Sequence, residues 1–325
     1  MLEFHVIMTQ LTRRQLLKRI GLVAAIPVIE TAGIYAYISG VDGLKEDYRY
    51  STEIKKEDYL LADSHAHFER PKNIDEIDSL LNYITSNNVL FQSISAILKG
   101  RGCWTYEEFR QDVTAFCSIN KNYSIIMSDE YATVISSKGR QVAYVRSQEL
   151  SCLSPRKKEI HLCIEGMPYL DDFSLKPEDA IETTLVNGGT VMLNHPYSVP
   201  NKIVRYWLAD SNYEDYLRSL MHFDDLFVEV FNSMNVLHMA ASNGKAESLA
   251  KEFNKTMIAS TDCHRSNLEL TLRQLTNAGF YVEDDVDFTS MTGKEIIALK
   301  KELAKKSPGL LRRYCPLDVF FKVMF

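Results

Sequence analysis

The chain has 325 residues, enough for one large α/β barrel or two smaller domains. Its 46% hydrophobic and 25% charged residues argue against disorder, and a net charge of -6 argues against a general nucleic-acid binder, so no nucleic-acid partner is expected. Six cysteines (Cys103, Cys117, Cys152, Cys163, Cys263 and Cys315) without a Cys-x-x-Cys pair exclude a zinc ribbon and announce no disulfide framework.

At the N-terminus, the basic stretch from Thr12 through Arg13 and Arg14 to Lys18 precedes the apolar stretch Gly21 to Ile29. That order is the pattern of an export signal, and it resembles the twin-arginine type. Counted from Ile20 to Ile38, the apolar stretch is just long enough to cross a bilayer, which takes about 20 residues. Pro27 and Glu30 interrupt it, and a carboxylate at mid-membrane costs about 2.5–3.5 kcal/mol. Residues 1–40 are therefore expected to be a signal or membrane-anchor segment, uncleaved, that holds an extracytoplasmic domain at the membrane. The alternative is an amphipathic or buried N-terminal helix of a soluble protein. Residues 41–58 are polar and charged and read as a linker.

Residues 59–325 read as one domain that ends in a helical extension. Tyr59 to Ala62 is strand-like, and Ile74 to Asn87 is helical, with Ile77, Leu80, Leu81 and Ile84 on one face. Strands follow at Val89 to Leu98, Tyr123 to Met127, Arg140 to Val145, Glu159 to Ile164, Thr190 to Leu193, Leu226 to Phe231 and Met257 to Ser260. Helical spacing marks Glu107 to Asn120, Lys176 to Asn187, Tyr213 to Met221, Ala240 to Asn254 and Thr292 to Lys305. Strands that alternate with helices imply parallel pairing in a barrel or a doubly wound sheet. In such folds the active site lies at the carboxyl ends of the strands.

Chemistry-bearing residues fall at those ends. Asp63-Ser64-His65-Ala66-His67 closes the first strand, and on extended backbone Asp63, His65 and His67 share a face. Two imidazoles and a carboxylate there suit a divalent cation such as manganese, zinc or iron. Asp262-Cys263-His264 closes the last strand in the same way, and His195 precedes Pro196, which ends another. Glu130 ends a third strand, and His161 sits within Glu159-Ile160-His161-Leu162. A carboxylate such as Glu130 can bridge two cations, because it has two oxygens where each imidazole offers one nitrogen.

Taken with Gly188 to Tyr197 and Val228 to Asn232, these pieces occur in an order that resembles the PHP (polymerase and histidinol phosphatase) family of metal-dependent phosphoesterases. The resemblance implies a distorted (β/α)7 barrel and phosphoester hydrolysis at a site of one to three cations. It makes His65, His67, Glu130, His161, His195, Asp262 and His264 metal ligands, and places Asp63 beside them, orienting a ligand imidazole. His195 or His161 becomes the proton donor to the leaving oxygen. The family also carries an acid shortly after the His-x-His, near which Glu69 stands here. It carries further ligands after the second strand, where this chain reads Lys99-Gly100-Arg101. Lys99, Arg101 and Arg265 are then candidates to neutralise the phosphate of a small phosphorylated substrate. Two other readings stay open: an amidohydrolase-type metal enzyme, and a non-catalytic barrel that binds a ligand.

Overall fold

Residues 59–97, 103–155, 159–170, 175–201, 205–208, 211–236, 239–264, 267–283 and 285–324 are described by a computed structural model. The signal or anchor segment, the linker, Lys99, Arg101 and Arg265 lie outside these residues. Among the described residues, no helix is long and apolar enough to cross a membrane.

In the N-terminal half, an inner strand is covered on both faces and the helices are capped as their sequences dictate. Strand β1 (Leu60–Asp63) leads into helix α1 (Ile74–Ser86), where the Asn73 side chain accepts from the Glu76 amide and Ile77, Leu80, Leu81 and Ile84 are buried. Strand β2 (Val89–Ala96) is buried along its whole length, as befits an inner strand. Helix α2 (Tyr106–Ile119) starts with a reciprocal Thr105–Glu108 capping box. Strands β3 (Tyr123–Ser128) and β4 (Ala132–Ser137) form a hairpin, and β4 pairs antiparallel with β5 (Arg140–Leu153).

Strand β6 (Glu159–Glu165), helix α3 (Pro177–Val186) and strand β7 (Thr190–Leu193) follow. Next come a small hairpin of β8 (Ser198–Asn201) with β9 (Arg205–Leu208), helix α4 (Ser211–Leu220) and strand β10 (Leu226–Asn232). The chain continues through helix α5 (Ala240–Glu252), strand β11 (Met257–Ser260), helix α6 (Leu268–Gln274) and strand β12 (Ala278–Val282). It ends with helix α7 (Gly293–Lys305), strand β13 (Leu310–Arg312) and helix α8 (Leu317–Met324). Besides the helix expected at 292–305, the stretch after β11 thus adds two strands to the sheet.

The large sheet runs β11-β10-β7-β6-β5-β2-β1-β12-β13 and is nearly closed. The chain beyond β1 meets the chain beyond β11: Ala66 bridges Cys263 in parallel, His67 N–H donates to Cys263 O (2.7 Å) and Asp262 N–H donates to His65 O (2.8 Å). That seam joins the ring at the end where the strands carry their His and acidic residues. At β1, the other neighbour is β12, whose Gly279 lies so close that a Cβ there would sit 2.6 Å from Ala62 O.

Wholly parallel pairing does not hold. β1–β2, β2–β5, β7–β10 and β10–β11 are parallel, whereas β6 is antiparallel to both β5 and β7. The short connection after Leu153 sends the chain straight back, and a direct return of this kind gives antiparallel pairing. β6 therefore begins, rather than ends, at the site. At the opposite end, α7 lays Lys300 against Glu165 Oε1 (2.5 Å) and Ser93 Oγ (2.8 Å).

Candidate metal centre

Strand parity brings the polar side chains inward. His65 and His67 follow β1 on the extended continuation that pairs with the end of β11, and both imidazoles are fully buried. β5 runs past Gln148, its last partner in β2, so Glu149 stands above the rim of that strand. On the reversed β6, Glu159, His161, Cys163 and Glu165 share one face at every second position, with His161 near the top. In β10 the register shifts between Glu229 and Phe231. This irregularity lets both Glu229 and Asn232 reach the site despite their odd spacing. Two non-glycine residues here adopt positive φ, His195 (23°) and Asp262 (45°), a strained backbone of the kind found where side chains must converge.

Glu149 is the hub. Its Oε2 lies 3.1 Å from His67 Nε2, and its Oε1 lies 2.7 Å from His161 Nδ1 and 3.2 Å from His195 Nε2. Two donor groups share it: His65, His67 and Glu149, and Glu149, His161 and His195, with the ligand atoms of each group within 4.8 Å of one another. Asp262 Oδ1 approaches the first group, 3.4 Å from His65 Nε2 and 3.7 Å from His67 Nε2. His264 Nε2 is 3.6 Å from the same oxygen, and its ring stacks on His67 at the partly open rim.

The proton positions on the first pair follow from their partners. His67 Nδ1 donates to the Ser95 carbonyl (2.8 Å), which only accepts, and His65 Nδ1 faces the Glu229 carboxylate (3.3 Å). Each Nδ1 therefore carries the proton, and a neutral ring presents a bare Nε2. Those two bare nitrogens face each other at 3.0 Å, with carboxylate oxygens beside them. Such a set of lone pairs repels unless protons or a cation stand among them. Asn194 Nδ2 reaches His65 Nε2 (3.4 Å), whereas buried Asp262 Oδ1, His161 Nδ1 and Asn194 Oδ1 lack a hydrogen-bond partner among the described residues. His161 Nδ1 is near Glu149 but is not angled to share a proton with it.

Titration behaviour reflects the same demand for positive charge. Burial opposes imidazolium at His67, but Cys103 and Glu149 outweigh it and push its pKa up to about 9. Burial is likewise overcome at His161 by Glu149 and Glu159, which raise it to about 10. His65 is raised as well, because Asp262, Glu149 and Glu229 outweigh its desolvation. Against burial, His161, His195 and His65 hold Glu149 well below the usual carboxylate range, and His65, His264 and His195 hold Asp262 at about 2. His264 is lowered by burial and by its imidazole neighbours. Nitrogen and carboxylate donors in this arrangement fit a borderline divalent cation.

Six of the seven expected ligands converge: His65, His67, His161, His195, Asp262 and His264. Glu130 does not. It is exposed at the turn between β3 and β4, because β3 pairs only with its hairpin partner and never enters the ring. Glu149, and not Glu130, is the carboxylate that stands between the two donor groups. Glu69 is exposed too, next to the bridge that its backbone makes with Cys103.

Asp63 is buried beside the site, but it orients backbone and not an imidazole. It accepts from the His65 and Thr261 amides (3.2 Å each) and from Thr261 Oγ1 (2.5 Å). Burial raises its pKa to about 6. The group that orients His65 is Glu229, which also accepts from His195 N–H (2.5 Å), Asn232 Nδ2 (3.2 Å) and the Ser260 hydroxyl. Asn232 in turn donates to Asp262 Oδ2 (2.9 Å), leaving Oδ1 for the cluster. Comparison of the chain with known protein families and with curated proteins finds no match.

Proposed function

We propose that the chain is a metal-dependent hydrolase of phosphoesters built on a PHP-type distorted (β/α)7 barrel. The observation that carries this reading is the Glu149 carboxylate, shared by two groups of buried imidazoles. His65, His67, Glu149 and Asp262 would hold one divalent cation, and Glu149, His161 and His195 a second. Manganese, zinc or iron bound there would supply hydroxide near neutral pH and polarise a phosphoryl oxygen.

The protein's own residues do the rest. Glu229, Ser95 and Asn232 fix the donor atoms, so the site is organised before substrate arrives. His264, partly exposed, marks the side from which a small phosphorylated substrate enters. His195 or His161, whichever ring is released from the second group, delivers the proton to the leaving oxygen. Lys99, Arg101 and Arg265 are proposed to meet the phosphate. Residues 1–40 are proposed to export or anchor the domain outside the cytoplasm.

The test is elemental analysis of the purified chain combined with turnover of p-nitrophenyl phosphate. Bound divalent metal, and activity that chelation removes and manganese or zinc restores, are expected. A chain that takes up no metal would overturn the reading. So would a metal-loaded chain that hydrolyses amides but no phosphoester, or one that is inert toward both.

A further inference from the structure

Three of the imidazoles, His65, His67 and His161, have unlike partners on the nitrogen turned away from the cluster. His65 and His67 rest on buried acceptors, the Glu229 carboxylate and the Ser95 carbonyl. His161 instead turns Nε2 to Glu159 Oε1 at 3.1 Å, and the Glu159 side chain is 39% exposed. The contact follows from β6 itself: Glu159 precedes His161 by two positions, so both lie on the face turned to the site. Glu159 is anchored there, since its backbone carbonyl accepts from Tyr213 Oη (3.2 Å) and its carboxylate is hydrogen-bonded to Ser151.

An ionised carboxylate only accepts, so it draws the proton to Nε2 and leaves the Nδ1 lone pair free. That lone pair is the orphaned one, 2.7 Å from Glu149 Oε1. We infer that Glu159 is the positioning residue of the second subsite, holding the His161 ring with Nδ1 turned to the cation that Glu149, His161 and His195 would share. The inference rests on the metal-centre reading. It adds that the two subsites differ in kind: the first is set by buried partners, and the second by a carboxylate at the rim. The second cation is accordingly the more readily exchanged.

The experiment is calorimetric titration of the metal-stripped full chain with zinc, for wild type, Glu159→Ala and Glu159→Gln. In Glu159→Ala the weaker of two binding events should lose about 10- to 100-fold in affinity, with the tighter one unchanged. Gln still accepts from Nε2–H through its amide oxygen and should restore most of that loss. The stripped chain should stay folded and melt cooperatively in all three, because the Glu159 side chain is 39% exposed. Wild-type affinities for both cations in Glu159→Ala, or equal losses at both, would overturn the inference. A wild-type chain that binds no cation would instead sink the metal reading beneath it.

Discussion

Glu149 does for this site what no imidazole can, because one carboxylate reaches three ring nitrogens through two oxygens. Removing it should abolish the sharing while leaving every histidine in place. Glu149→Ala is expected to lose at least one cation and about 100-fold or more in phosphoester turnover, whereas Glu130→Ala should match wild type in both. Assays of the two variants side by side check this.

Protonation sets the conditions. Metal-free, the rings of His67 and His161 keep protons up to about 9 and about 10. A cation must displace them, so apparent affinity should rise with pH across that range, by about tenfold per pH unit for each proton released. Calorimetry in buffers of different ionisation enthalpy reads the proton count, and pH-independent binding would contradict it. The stripped chain should behave in the opposite sense. Stability from imidazoles with raised pKa is complete below their usual 6.5 and is lost as pH climbs through about 9 to 10.

Among the elements, the helices were the most legible in the sequence. The face Ile77, Leu80, Leu81 and Ile84 is the buried face of α1, and most expected strands occur within a few residues of their expected bounds. The strand-end motifs around His65, His195 and Asp262 also meet, as their places at the strand ends suggested. Glu149 was hidden because β5 runs on to Leu153, well past its apolar start, and because a polar residue inside a long strand looks like a solvent-facing one. What marks it is alternation: Leu150 and Cys152 pack into the core while Glu149 faces the site. The reversal of β6 was equally silent, since a strand's direction in a sheet is a tertiary property that periodicity does not carry. Glu229, inside an apolar strand, reads as a lone buried acid until the shifted register of β10 shows its partners. Glu229→Ala strands several buried donors at once and should cost about 3 kcal/mol or more in urea unfolding of the metal-free chain. A loss under about 1 kcal/mol would mean those donors find other partners.

For the whole molecule, the two ends of the barrel-like sheet have different work. One end gathers the histidines and is sealed by the seam between Ala66 and Cys263. The other is closed by α7, whose buried Lys300 meets Glu165 and Ser93. A buried pair broken on one side leaves an uncompensated charge. Lys300→Met alone should therefore destabilise by about 3–5 kcal/mol, and Lys300→Met with Glu165→Met should recover most of it. Metal uptake should be unchanged in the double variant, because the pair lies at the far end from the cluster. Additive losses in denaturant unfolding would contradict that description of the plug.

The most direct measurement is the number of divalent cations bound per chain, by elemental analysis of wild type and Glu149→Ala after dialysis against zinc or manganese. Two per wild-type chain, and fewer in the variant, are expected from a carboxylate shared between two imidazole groups. No bound cation in wild type, or the same number in both proteins, would contradict it.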